Sequence, residues 1–147
     1  MNELKNKLMN ELSYQMPRLI EFPSIGSSAE GYISVAEFQK DIPFEIKRVY
    51  WTYFTPQNII RGYHAHKELQ QMIFAVSGRI SFKTEDGKGH IDTFILEEPK
   101  VGLYIPPLVW REITFSHNAV LLCLASSEYN ENDYFRNYDD FKKFAKQ

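Results

Sequence analysis

A chain of 147 residues with 44% hydrophobic residues, 24% charged residues and a formal net charge of −2 fits one globular domain able to bury its own core. Near-balanced charge argues against a nucleic-acid surface, and the single cysteine, Cys123, excludes a disulfide framework and a thiolate metal cluster. No apolar run reaches the length of a membrane span, and the N-terminus carries Lys and Glu with no signal-peptide core, so a cytoplasmic protein is expected.

In chain order, Leu4, Leu8, Met9 and Leu12 recur at helical spacing over residues 1–16. This predicts a short helix ending before Pro17, or a poorly ordered extension. Residues 18–22 alternate like a strand, residues 23–31 read as a turn-rich loop, and residues 32–38 read as a second strand. Residues 41–44 break the pattern. Residues 46–54 are rich in aromatic and β-branched side chains and form the next predicted strand, followed by a turn over 55–58. Further strands are expected over 70–77, 79–84, 90–96, 102–105, 109–115 and 119–126, with an Asp86-Gly87 hairpin turn between the second and third of these. Cys123 falls inside an apolar run and reads as an inert core thiol. Over residues 137–146, Tyr138, Phe141, Phe144 and Ala145 recur at helical spacing and predict a C-terminal helix. Short strands at regular spacing, with 15% aromatic residues, predict an all-β sandwich or barrel that takes residues 1–147 as one domain.

The chain is organised around residues 61–71, Arg-Gly-Tyr-His-Ala-His-Lys-Glu-Leu-Gln-Gln. On a strand, successive side chains point to opposite faces, so His64 and His66 share one face. A lone histidine reads as structural. A same-face pair inside a β-protein points to a metal site or a proton-transfer site. His90 and His117 lie near turns and are expected to face solvent.

Five motifs, in order, carry a resemblance to a known family. They are Ile46-Lys47-Arg48-Val49-Tyr50, Arg61 to Lys67, Gly102 to Pro107 continuing through Val109-Trp110-Arg111-Glu112, Leu124-Ala125-Ser126, and the stretch from Tyr129 to Phe141. The chain from about Gly31 to Phe141 resembles the dTDP-sugar 3,4-ketoisomerases of the cupin superfamily. The resemblance implies an all-β, cupin-type double-stranded β-helix, or jelly-roll barrel, with a short C-terminal helix. It implies a homodimer with exchanged strands and no cofactor. The implied reaction moves the carbonyl of a dTDP-linked keto-deoxysugar, dTDP-4-keto-6-deoxyglucose, from C4 to C3. The product would feed synthesis of 3-amino-3,6-dideoxy sugars for surface glycans. Its galacto or gluco configuration depends on which face of C4 takes the proton.

Metal-binding cupins use a His-x-His, a Glu a few residues on, and a third His from a later strand. Here the Glu position holds Gln71 and the last His position holds Arg111. A neutral amide brings no charge to offset a cation, and a guanidinium does not ligate one. No metal is therefore expected, and His64 and His66 are left for acid–base work, one at the carbons and the other at the oxygens. In the family a tyrosine of the strand after Lys47 assists; Trp51 stands where a second Tyr is usual, which leaves Tyr50 or Tyr53 for the role. Arg61, Arg111 (placed at the pocket mouth) and Arg48 are candidates for the pyrophosphate, since Arg makes the paired contacts that oxyanions favour. Trp110 and Tyr104 are candidates to stack on thymine or border the sugar, with core packing the equal alternative for each. Gln71, Tyr129 and Arg136 complete the expected substrate-binding set. The competing readings are a nucleotide-sugar-binding cupin without catalysis, a metal-dependent cupin enzyme, and a 3,5-epimerase-like sugar isomerase whose motifs are not found here.

Overall fold

A computed structural model describes residues 3–5 and 15–147. Most of the extension predicted over 1–16 lies outside the described residues. The strands are β1 (Arg18–Glu21), β2 (Ser24–Ser27), β3 (Gly31–Ser34), β4 (Arg48–Thr52), β5 (Arg61–His66), β6 (Gln71–Ser77), β7 (Ile80–Glu85), β8 (Ile91–Leu96), β9 (Val101–Ile105), β10 (Trp110–Phe115), β11 (Val120–Ala125) and β12 (Tyr134–Phe135). Tyr138–Ala145 is the C-terminal helix, within one residue of the predicted bounds. Asn137 caps it, its side chain accepting from the Asp140 amide.

Among the described residues these strands make two five-stranded sheets, in the orders β1-β9-β6-β11-β4 and β12-β5-β10-β7-β8, and a β2-β3 hairpin. All the named strand pairings are antiparallel. The architecture is all-β with one short C-terminal helix, as the sequence predicts. No described helix is long and apolar enough to cross a membrane.

Alternation along each strand sorts its side chains between an interior core and an outer face. Ile73, Ala75, Ile80, Phe82, Leu103, Ile105, Phe115, Leu121 and Cys123 form the interior core. The intervening residues of the first sheet are also covered. Met72, Phe74 and Tyr104 pack on its outer face against Phe22, Ile42 and Phe44 from the segments before β2 and β4. That double burial is why β6 is apolar without a break. On the outer face of the second sheet, Ala65 and Trp110 pack against Phe141 and Ala145 of the C-terminal helix.

Two features depart from the predicted string. The loop expected over 23–31 is half of the β2-β3 hairpin, paired from Ser24↔Ser34 to Ser27↔Gly31. Its Gly and Ser content serves a two-strand ribbon, with Gly26 at φ +134°, where an added Cβ would sit 2.0 Å from the Gly31 carbonyl oxygen. The strand expected over 32–38 stops at Ser34. The second departure is β12, a two-residue strand that pairs with β5 inside a segment read as loop.

Candidate active site

β5 and β10 are neighbours, with Arg111 opposite His64 and Glu112 opposite Gly62. Tyr63 is the extra residue of a bulge, at φ +53° beside Gly62 at φ +93°. A Cβ on Gly62 would lie 2.7 Å from the Arg111 carbonyl oxygen, so only glycine lets the two strands approach here. Past the bulge, strand alternation puts His64 and His66 on the same face, ring centroids 5.0 Å apart in an edge-on arrangement.

Each imidazole is held through Nδ1. His64 Nδ1–H donates to the Gly62 carbonyl at 3.0 Å. His66 Nδ1–H donates to Asp133 Oδ2 at 3.2 Å. Asp133 is itself fixed, its carboxylate accepting from the Glu68 and Leu69 amides at 2.9 and 3.3 Å. A donor on Nδ1 leaves the Nε2 lone pair on both rings as the acceptor. Burial lowers the His64 pKa to about 4 and the His66 pKa to about 2, with the Arg111 charge the second cause in each case. Two neutral histidines with defined tautomers thus face one place at neutral pH.

Arg111 is fully enclosed, 2% exposed. The sequence places it at the pocket mouth; the structure places it in the barrel interior, because β10 alternates Trp110 outward and Arg111 inward. Its Nη1 donates to Gln71 Oε1 at 2.6 Å. Gln71 Nε2 in turn donates to the Tyr50 hydroxyl at 2.9 Å and approaches Cys123 Sγ at 3.4 Å. Burial lowers the Arg111 pKa to about 10, which leaves it charged at neutral pH. Burial pushes Tyr50 well above its usual value and Cys123 up to about 11, so both stay protonated.

Tyr134, on β12, packs its ring 4.3 Å from His66 and 5.1 Å from His64, centroid to centroid. Arg136 lies over the Tyr134 ring at 4.2 Å and is clamped by Glu131 through Nε and Nη2 at 2.5 and 2.9 Å. That clamp lowers the Glu131 pKa to about 2. Tyr129 donates its hydroxyl to the same Glu131 carboxylate. Arg48 stands between the rings of Tyr50 and Tyr129 at 5.5 and 5.7 Å.

Among the predicted residues, the structure brings His64, His66, Arg111 and Gln71 together, with Tyr50 one hydrogen bond beyond Gln71. Arg48, Tyr129 and Arg136 lie along one side. Arg61 is exposed at the start of β5. Tyr104 and Trp110 are elsewhere: Tyr104 packs on the outer face of the first sheet with its hydroxyl donating to Gln70 at 2.8 Å, and Trp110 packs under the C-terminal helix beside Tyr138 and Phe141. Both are core residues, turned outward by strand alternation. His90 and His117 are exposed. Sequence reasoning missed Asp133 and Tyr134 as individual residues. The stretch from Tyr129 to Phe141 entered as a motif of the resemblance without a role for either residue, and Asp133 reaches its histidine across 67 residues. No three His, Cys, Asp or Glu side chains among the described residues converge to hold a metal ion.

The profile of the family described as FdtA: WxcM-like, C-terminal matches residues 15–146. A TDP-4-oxo-6-deoxy-alpha-D-glucose-3,4-oxoisomerase from Aneurinibacillus thermoaerophilus is 41% identical over 128 residues, 86% of this chain and 91% of that protein. A histidine-to-asparagine mutant of the 3,4-ketoisomerase QdtA from Thermoanaerobacterium thermosaccharolyticum, in complex with TDP-4-keto-6-deoxyglucose, superposes with a TM-score of 0.85. It shares 41% identity, over 90% of this chain and 95% of that one. A 3,4-ketoisomerase from Helicobacter canadensis gives 0.84 and 39%, over 90% and 100% of the two chains.

Proposed function

The chain belongs to the FdtA, WxcM-like C-terminal family and is a TDP-sugar 3,4-ketoisomerase; we propose that it moves the carbonyl of TDP-4-keto-6-deoxyglucose from C4 to C3 by proton transfer through His64 and His66. The observation that carries this reading is the pair of neutral imidazoles on one face, each with Nδ1 occupied and Nε2 free. A neutral imidazole with an available Nε2 can accept a proton from carbon and return it, and negative charge developing on the sugar beside it would offset the burial that lowers both pKa values at rest.

His66 Nε2 removes the proton on C3. The C3–H electron pair becomes the C3=C4 bond and the C4 carbonyl pair moves to O4, giving an enediolate. O4 gains a proton, O3 loses one, and the pair returns as C3=O while C4 takes the proton back. The step is redox-neutral, since the sugar oxidises C3 as it reduces C4. His66 is assigned the carbon proton because it alone of the two rings contacts a carboxylate, Asp133, which would offset part of an imidazolium's charge against the burial and the Arg111 charge that hold its pKa low, whereas His64 leans on a neutral carbonyl. His64, beside the Tyr134 ring, serves the oxygens.

The product then suits transamination at C3, which places the enzyme in the synthesis of 3-amino-3,6-dideoxy sugars for surface glycans. The cytoplasm, where nucleotide sugars are made, is its proposed location. A homodimer with exchanged strands is proposed as the working form. It is supported by the exposed apolar residues Ile25, Tyr32 and Ile33 on the β2-β3 hairpin and Val49 and Trp51 on the edge strand β4.

The test is an NMR time course of TDP-4-keto-6-deoxyglucose with the protein in D₂O. Loss of the C3 proton signal and growth of a 3-keto species are expected. His64→Asn and His66→Asn should each abolish turnover and leave TDP affinity within about threefold; two active variants would sink the assignment.

A further inference from the structure

Resting on that reading, we infer that Arg111 is a catalytic residue, the electrophile that holds the O4 oxyanion of the enediolate, and that Gln71 is the positioning residue that aims it. Arg111 is 2% exposed and stands opposite His64 on the neighbouring strand. Its Nη1 is committed to Gln71 at 2.6 Å, while its Nε and Nη2 are enclosed and have no hydrogen-bond partner among the described residues. A charged group buried with unspent donors is expensive unless a ligand uses them. Among the described residues no carboxylate bonds to this guanidinium, unlike Arg136, whose fork is closed on Glu131.

An interior position suits the sugar rather than the pyrophosphate. A diphosphate carries its charge permanently and is bound at an accessible surface. An enediolate acquires its charge only during the reaction, so a fixed cation in a water-poor site favours the transition state over the bound ketone. The fork also matches the two oxygens of an enediolate, O3 and O4, which lie on adjacent carbons. Gln71 is suited to the positioning role because it is neutral. Its Oε1 orients the guanidinium without cancelling its charge, and its Nε2 is locked by Tyr50. A glutamate there would close on Arg111 as an ion pair.

The same cation explains why two buried imidazoles work in sequence. It opposes protonation of both while its charge is unmatched. Once O4 turns anionic against it, that opposition falls and the proton on His66 is stabilised. Removal of the C3 proton and charge development on O4 therefore support each other.

The experiment measures kcat, KM, C3 exchange in D₂O and TDP affinity by calorimetry for the wild-type protein and for Arg111→Met, Arg111→Lys and Gln71→Glu. Arg111→Met is expected to lower kcat and C3 exchange by about 10²- to 10³-fold, the usual loss of an oxyanion donor, with TDP affinity within about threefold. Arg111→Lys keeps charge without the fork and should fall between; it carries the same readouts if the Met variant does not fold. Gln71→Glu should lower kcat at least about tenfold while KM moves little. A tenfold or larger loss of TDP affinity with kcat retained would make Arg111 a phosphate ligand and overturn the inference. Wild-type exchange with undiminished exchange in both Arg111 variants would overturn it as well. No exchange in the wild-type protein would instead remove the ketoisomerase reading, and this inference with it.

Discussion

In the proposed mechanism, occupation of Nδ1 sets the role of both histidines, and Asp133 is the side chain through which this is most easily tested. Asp133→Asn presents an amide that can donate to Nδ1 and turn the lone pair of His66 away from the substrate. Turnover should fall on the order of 10²-fold with TDP affinity retained, read by steady-state kinetics and calorimetry. The depressed histidine pKa values have a consequence for stability. The unfolded chain titrates near 6.5, and the folded groups near 4 for His64 and 2 for His66. Below pH 6.5 the unfolded state binds more protons than the folded one, so stability present above that pH is lost as pH falls. Both histidines contribute down to about pH 4 and His66 alone below it, each by at most about 1.4 kcal/mol per pH unit. Urea midpoints between pH 7.5 and 5 should therefore decline, and His66→Asn should flatten the slope. An unchanged slope in that variant would contradict the neutral assignment.

At the scale of elements, the β5-β10 bulge fixes the site. Gly62 has φ +93° and no room for a methyl group against the Arg111 backbone. Gly62→Ala should lose about 1–3 kcal/mol of stability in urea denaturation, and more kcat than its stability loss explains, because His64 and Arg111 flank the displaced backbone. Much at this scale was legible in the sequence. The predicted strand over 109–115 is β10, one residue shorter at its start, and the strand over 119–126 and the helix over 137–146 are β11 and Tyr138–Ala145, each one residue shorter at both ends. The two failures share a cause. The β2-β3 hairpin and β12 are short, half- or fully exposed strands, so no apolar face writes a period of two into their residues.

Across the whole molecule, the edge strand β4 and the hairpin present apolar side chains to solvent. Trp51 is 61% exposed and lies opposite Leu122 on the outer face of the first sheet. An unpaired edge with such residues is open to pairing with another chain. Trp51→Glu should shift the proposed dimer, measured by light scattering, toward monomer without loss of β-sheet signal in circular dichroism; a dimeric mass unchanged in the variant would place the interface elsewhere, and a monomeric wild-type protein would remove the dimer. The site draws on β4, β5, β6, β10 and β12, which come from both sheets. Its histidines, arginine and glutamine are therefore aligned only when the sheets close over the shared core.

By itself the sequence determined the all-β class, the C-terminal helix, the same-face placement of His64 and His66, and the replacement of metal ligands by Gln71 and Arg111. These follow from local periodicity and side-chain chemistry, which neighbouring residues carry. Only the tertiary structure decided which face of each strand is the interior. The apolar runs of β6 and β9 are covered on both faces, and Trp110 and Arg111 of β10 are both buried, so alternation gives no direction there. That is why the sequence leaves Trp110 and Tyr104 open between pocket and core and they are core, why Arg111 reads as a rim residue and is interior, and why Asp133 and Tyr134 join the histidines from a segment whose residues carry no periodicity.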